Sequence, residues 1–197
     1  IFCIGDSYTF GHGVDTQDAW PIQLGNKLQK NIYNFGTKGL GHDGCLFNVD
    51  YLIGNVQGIE KIICLLPSPT RKLFLFDFLE MHGAITLSHL TKHKLPDEYN
   101  KQVNALLDKI LDEEYMHKDW IECCAKIIKT CENKNIDCFI STWDNDMFGN
   151  IPQKNRLPVF PDLDLFPQRA KDGEHPHRKH YEFFVENIAP YIDKKQK

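Results

Sequence analysis

At 197 residues with 42% hydrophobic residues, the chain is long and apolar enough to bury a sizeable core, and a single domain over residues 1–197 is expected. A formal net charge of -4 gives no basic excess of the kind that nucleic-acid partners require, so a small neutral or cationic ligand is the easier partner. The seven cysteines are odd in number and most fall inside apolar runs without paired spacing. They are expected to be buried free thiols in a reducing cytoplasm rather than a disulfide framework or a CxxC metal site. No run reads as a secretory leader or reaches the length of a membrane span.

The first element is a short apolar run, Ile1 to Ile4, which reads as a buried strand. It breaks at Gly5 and delivers Asp6 and Ser7 to the point where the backbone turns. Ser7 therefore sits at the carboxyl end of a strand, the rim on which open α/β sheets bind ligands. Gly5, Gly11 and Gly13 let the following loop approach a substrate. A helix follows over Asp18 to Lys30, with Asp18 as cap, Pro21 in the first turn, and Trp20, Leu24 and Leu28 on one face. Ile32 to Phe35 is a second strand. The glycine-rich loop after it, Asn34 to Gly41, can turn backbone N–H groups inward where no side chain blocks the approach.

Gly44 to Gly54 repeats apolar residues at helical spacing, and Lys61 to Leu66 is a third buried strand. This βαβαβ order predicts parallel strands joined by right-handed crossovers, so that Ser7, Gly39 and the loop after Leu66 converge on one rim. Residues 72–96 carry Phe74, Phe76, Phe78 and Leu79 with His82, His89 and His93 and no clean period. Core, lid, pocket wall and dimer contact all remain open there. Two helical stripes follow: Val103, Leu106, Leu107, Ile110 and Leu111, then Ile121, Cys124, Ile127, Ile128 and Cys131. They lead to a strand over Asp137 to Thr142. A long proline-bearing loop from Trp143 to Lys171 then crosses the rim, with Trp143, Asp144, Asn145 and Asp146 as candidates for a pocket wall. His177 to Ile192 forms the last helix, with Phe184 and Ile188 facing inward.

The segment before that helix reads Asp172-Gly173-Glu174-His175-Pro176. A serine hydroxyl is a poor nucleophile until an imidazole takes its proton, and the imidazole needs a carboxylate to fix its tautomer. An Asp three residues before a His can fold back onto the ring, with Gly173 easing the turn and Pro176 opening the helix. The GDS of residues 5–7 and the DxxHP of residues 172–176 resemble the SGNH, or GDSL, hydrolase superfamily, and the resemblance spans nearly the whole chain. It implies a three-layer α/β/α sandwich around a flavodoxin-like parallel sheet, and a serine esterase without a cofactor or a metal. Ser7 would be nucleophile, His175 the base, and Asp172 the residue that orients it, with the N–H groups of Ser7 and Gly39 as oxyanion donors. Implied substrates are small acyl esters, among them acetylated glycans and lysophospholipids.

At the third rim the sequence departs from the family, which places an Asn just after this strand as a third oxyanion donor. Here Pro69 takes that place in Pro67-Ser68-Pro69-Thr70-Arg71, and proline has neither an N–H nor a polar side chain. Ser68, Thr70 or Arg71 replaces the donor, or two backbone amides suffice, or the chain is a non-catalytic carbohydrate- or lipid-binding domain on the same fold. Arg71 is also suited to hold the loop or to meet an anionic substrate. A metal site built from His175, His177 and His180 with Asp172 and Glu174 is the rival reading of the histidine-rich tract. A G-x-S-x-G elbow would need a glycine at Thr9, which argues against an α/β-hydrolase.

Overall fold

The computed structural model describes residues 1–71 and 112–193, with the backbone of two short strands between them. The sheet is built from β1 (Phe2–Gly5), β2 (Tyr33–Gly36), β3 (Lys61–Leu66) and β6 (Asp137–Thr142). All its pairings are parallel, in the order β2-β1-β3-β6. The short strands β4 (Leu75–Phe76) and β5 (Met81–His82) pair antiparallel with each other. The helices are α1 (Ser7–Phe10), α2 (Trp20–Leu28), α3 (His42–Asn55), α4 (Glu113–Glu132), α5 (Asn145–Phe148) and α6 (Arg178–Asp193). The expectations for the side chains of residues 72–96 and for the Val103 to Leu111 stripe lie outside the described residues.

Side chains alternate across a strand, and this alternation creates the three layers. Phe2, Ile4, Ile62, Cys64, Leu66, Cys138 and Ile140 face one way and pack with α3 and α4 through Val49, Leu52, Trp120 and Ile127. Cys3, Ile63, Leu65 and Phe139 face the other way, onto Trp20 and Leu24 of α2 and Tyr181, Phe184 and Ile188 of α6. With helices on both faces, β1 and β3 are buried along their whole length, as their unbroken apolar runs require. Burying one such side chain contributes about 1.5–3 kcal/mol. The exposed Lys27–Glu186 pair that also links α2 to α6, at 2.6 Å, contributes at most about 1 kcal/mol, so the apolar seam, with Trp20 edge-on to Phe184, holds that layer.

Strand order reverses at β1. The chain leaves it for β2 through α2 on one face, then crosses back to β3 through α3 on the other. The carboxyl end of β1 is thus the switch point at which doubly wound sheets bind ligands, and Ser7 stands there. All seven cysteines are free and buried. No helix among the described residues is long and apolar enough to cross a membrane.

Several boundaries differ from the sequence reading. Asp18 does not cap α2. It closes a 3-10 turn, Thr16–Asp18, and Ala19 precedes the helix, because Pro21 fits only the first turn. The buried stripe of α4 runs through Met116, Trp120, Cys123, Cys124, Ile127 and Cys131, which turns Ile121 outward at 38% exposure. Its anchor is Trp120, whose Nε1 donates to the Pro67 carbonyl at 2.7 Å. Pro176 does not open α6, which starts at Arg178. It lies instead in an antiparallel bridge with Arg169.

Candidate active site

Ser7 is the first residue of α1, a single helical turn set directly on the end of β1, and it is 4% exposed. Two glycines make that seat possible. A Cβ on Gly5 would lie 2.2 Å from Thr9 Oγ1, and a Cβ on Gly36 would lie 2.1 Å from the backbone nitrogen of Phe10. Asp6 caps the turn: its Oδ1 accepts the Tyr8 N–H, and its carbonyl accepts those of Thr9 and Phe10. Ser7 is left as the first-turn amide without an acceptor among the described residues.

The glycine loop is moored beside it, since the Thr37 N–H donates to the Gly5 carbonyl at 2.9 Å, extending the β1–β2 ladder. Gly39 is the third residue of a turn closed by Leu40 N–H onto the Thr37 carbonyl, and its φ of +73° is one that a glycine adopts cheaply. The third rim is a second turn, closed by Arg71 N–H onto the Ser68 carbonyl at 3.0 Å. Pro69 occupies its second position, which suits a fixed φ. Ser68 is nearly buried and Thr70 exposed, with their hydroxyls 3.2 Å apart.

Asp172 and His175 are bonded as their spacing predicts. Asp172 Oδ2 lies 2.7 Å from His175 Nδ1, and Oδ1 accepts the backbone N–H groups of Glu174 and His175 at 3.0 Å. Partial burial works against the Asp172 charge, but these amides and the imidazole outweigh it and bring the carboxyl down to about 2. The turn is pinned by Ala170 N–H to the His175 carbonyl and joined to the Gly11–Val14 loop by Lys171 N–H to the Gly13 carbonyl. His175 is flanked by rings on both sides of α1: Tyr8 at 6.0 Å and His12 at 4.6 Å between centroids, both edge-on.

Other described neighbours shape the same rim. Asp6 is fully buried, and its Oδ2 receives Arg71 Nη1 at 2.7 Å. Burial raises the Asp6 pKa, against the pull of Arg71. Burial, with Asp6 alongside, also pushes the Tyr8 phenol up to about 12, so Tyr8 stays neutral at physiological pH. The Arg71 guanidinium stands over the Trp143 ring at 5.2 Å, and Trp143 leans on Tyr8. A hollow of about 680 Å³ lined by Ile1, Phe2, Asn31 and Glu60 lies at the amino ends of the strands, away from these groups.

No family model and no curated protein matches this sequence. Solved structures do. The psychrotrophic esterase EstA from Pseudoalteromonas sp. superposes with a TM-score of 0.57 at 15% identity, covering 98% of both chains. A member of the lipolytic protein G-D-S-L family from Veillonella parvula DSM 2008 gives 0.55 at 14% identity, again over 98% of both. AlinE4, an SGNH-hydrolase family esterase, gives 0.51 at 16% identity over 100% of this chain and 95% of its own. The chain has the SGNH hydrolase fold.

On that fold the sequence-predicted residues share one rim, with two reassignments. Of the candidate wall residues, only Trp143 faces Tyr8 and Arg71. Asp144 caps α5 by accepting the N–H groups of Asp146 and Met147, and Asn145 and Asp146 are exposed. The histidine tract does not assemble as a metal set. His180 is fully buried, its Nε2 bonded to the Leu163 carbonyl at 2.9 Å and its Nδ1 accepting the His177 N–H, so neither nitrogen is available.

Sequence reasoning missed three residues. Asp6 was read only as part of the turn. Tyr8 went unremarked, as did His12, whose Nε2 lies 3.6 Å from Asp172 Oδ2. The signal for His12 was present: Gly11 and Gly13 flank it at φ of +81° and +80°, a tight loop that aims one side chain.

Proposed function

We propose that the protein is a serine esterase acting on small acyl esters. Ser7 Oγ attacks the ester carbonyl while its proton passes to His175 Nε2, and the tetrahedral oxyanion is held by the N–H groups of Ser7 and Gly39. Collapse expels the alcohol, which takes the proton from His175 and leaves an acyl-Ser7. Water then attacks this intermediate with His175 again as base, releasing the carboxylic acid. Asp172 keeps the imidazole with its proton on Nδ1 and stabilises the imidazolium. The observation that carries this reading is the 2.7 Å bond between Asp172 and His175 on the rim where Ser7 begins α1.

The neighbours support the same chemistry, EstA having been crystallised inhibited by monoethylphosphonate, a reagent suited to a nucleophilic serine. Glycan O-acetyl groups and lysophospholipids are the substrate classes to assay first, and the free buried cysteines suit a reducing, cytoplasmic setting. Pro69 in place of a donor Asn favours one second reading, a non-catalytic carbohydrate- or lipid-binding domain. A fluorophosphonate probe and p-nitrophenyl acetate separate the two. Wild type is expected to label and turn over, and Ser7→Ala and His175→Ala to lose essentially all turnover while remaining folded. A folded Ser7→Ala variant with unchanged turnover would sink the mechanism.

A further inference from the structure

Beyond the triad chemistry stand a His42–Asp119 pair whose imidazole is buried, exposed aromatic side chains on α3 and β2, and the cluster around His12. The cluster carries an inference furthest. We propose that His12, Asp172 and His175 form a zinc site whose occupancy switches the esterase off.

One ligand-capable atom from each of the three lies within 4.8 Å of the other two. In a tetrahedral zinc site, metal–ligand bonds of about 2.0–2.2 Å place neighbouring ligand atoms about 3.3–3.5 Å apart. His12 Nε2 and Asp172 Oδ2 are already 3.6 Å apart. His175 Nδ1, now 2.7 Å from the same oxygen, needs to open by only about 0.6–0.8 Å to reach that spacing. Two imidazoles and one carboxylate are a donor set that zinc favours.

The supports are in place. Asp172 Oδ1 is held by two backbone N–H groups, which aims Oδ2 at the imidazoles. The loop carrying His12 is tied to the Asp172 turn through Lys171 N–H and the Gly13 carbonyl. The side chains keep 34%, 27% and 19% exposure for His12, Asp172 and His175, so an ion can enter from water and a water can complete the shell.

The consequence for catalysis follows from counting protons. Zinc takes the lone pair of His175 Nδ1: in the neutral imidazole the proton that Nδ1 carried toward Asp172 moves through solvent to Nε2, and in the imidazolium, which already carries a proton on Nε2, it is lost to solvent. A neutral metal-bound imidazole then keeps its one proton on Nε2, the nitrogen that must accept the Ser7 proton. Its base is lost without any change of oxidation state. This inhibition rests on the esterase reading; the binding does not.

Metal-stripped protein titrated with Zn²⁺ by calorimetry, and with Co²⁺ by visible absorption, tests the site without reference to turnover. One equivalent should bind. Ser7→Ala should bind as tightly as wild type. His12→Gln, with His12→Asn as a second variant, should bind at least about tenfold more weakly, given that loss of even an outer-shell partner costs about 10–100-fold. The zinc concentration that halves p-nitrophenyl acetate hydrolysis should rise by the same factor, and a chelator should restore the rate. No binding at millimolar zinc, or affinity unchanged in folded His12→Gln and His12→Asn, overturns the site and leaves the esterase reading intact. Zinc binding in a protein that turns over no ester removes the inhibition and leaves the site.

Discussion

Arg71→Met removes the cation that faces the buried Asp6 carboxylate. Asp6 is 0% exposed, and the Arg71 side chain, 2.7 Å away, keeps 25% exposure. Breaking a buried pair from one side costs about 3–5 kcal/mol, because the remaining charge is stranded. Two features reduce this cost. Water can follow the partly exposed arginine into the vacated space, and Asp6 keeps the Tyr8 N–H on Oδ1. A loss of about 2–3 kcal/mol results, including up to about 1 kcal/mol for the stacking on Trp143. At roughly 2–4 °C per kcal/mol for a domain of this size, Tm falls by about 4–12 °C.

The pH dependence gives this prediction its sharper form. Burial already raises the Asp6 pKa and Arg71 is the largest influence opposing it, so the variant raises it further. A carboxyl whose folded pKa lies above its unfolded one favours the fold at low pH and loses that advantage as pH rises through the folded value. The deficit of Arg71→Met is therefore largest at neutral pH and shrinks on acidification. Asp6→Asn/Arg71→Met, with no buried charge and the cap to Tyr8 retained, should recover most of the stability at neutral pH. Urea unfolding of wild type, both single variants and the double variant at two pH values measures all of this. A neutral-pH deficit below about 0.5 kcal/mol, the range of an ordinary surface substitution, or a deficit independent of pH refutes the reasoning.

Asp172→Asn should lower kcat by about 10⁴-fold by leaving His175 in the wrong tautomer, read from the acylation rate. Because the Asp172 pKa is depressed to about 2, its contribution to stability is present above the ordinary carboxylate pKa of 3.8 and lost as pH falls toward 2, so acid unfolding of wild type and Asp172→Asn should converge across that window. His180→Ala removes a fully buried imidazole and the acceptor of the His177 N–H, while the Leu163 carbonyl keeps Arg169 Nη1, and should cost about 1–3 kcal/mol in denaturant unfolding, a role that a surface histidine would not have. Ser68→Ala or Thr70→Val should lower kcat at least about tenfold with little change in KM if a hydroxyl of this turn replaces the missing oxyanion donor. Wild-type kcat in both leaves the hole to the amides of Ser7 and Gly39.

Much of the fold was legible because it is periodic. β3 and β6 occupy the residues their apolar runs marked, since strands buried on both faces leave no ambiguity of register against solvent. The Asp172–His175 bond was legible because an i,i+3 turn needs no knowledge of the rest of the molecule. The pairing of Asp6 with Arg71 spans 65 positions and exists only because β1 and β3 are neighbours in the sheet. The contact of His12 with Asp172 likewise depends on the Gly13–Lys171 link between distant loops. Polar residues at a helix start look the same in sequence whether solvated or buried, which is why the burial of His180 is not legible there. The phase of α4 was set by Trp120, whose indole seeks a carbonyl far along the chain, and this moved the stripe off Ile121.

The same division explains how this fold persists at 14–16% identity to its structural neighbours. Its framework asks little of particular side chains. Apolar residues must fill both faces of the central strands, and glycines must stand where α1 touches the sheet, at Gly5 and Gly36. The Asp172 turn must also close on itself. In the turn from Ser68 to Arg71, proline takes a corner suited to its fixed φ, and the arginine two residues on pairs with Asp6 next to Ser7. That arrangement exchanges a donor for a counter-ion. It also makes Arg71 a structural partner of Asp6 before any role toward substrate, so activity changes in Arg71 variants can be assigned to chemistry only after the stability deficit has been measured and offset.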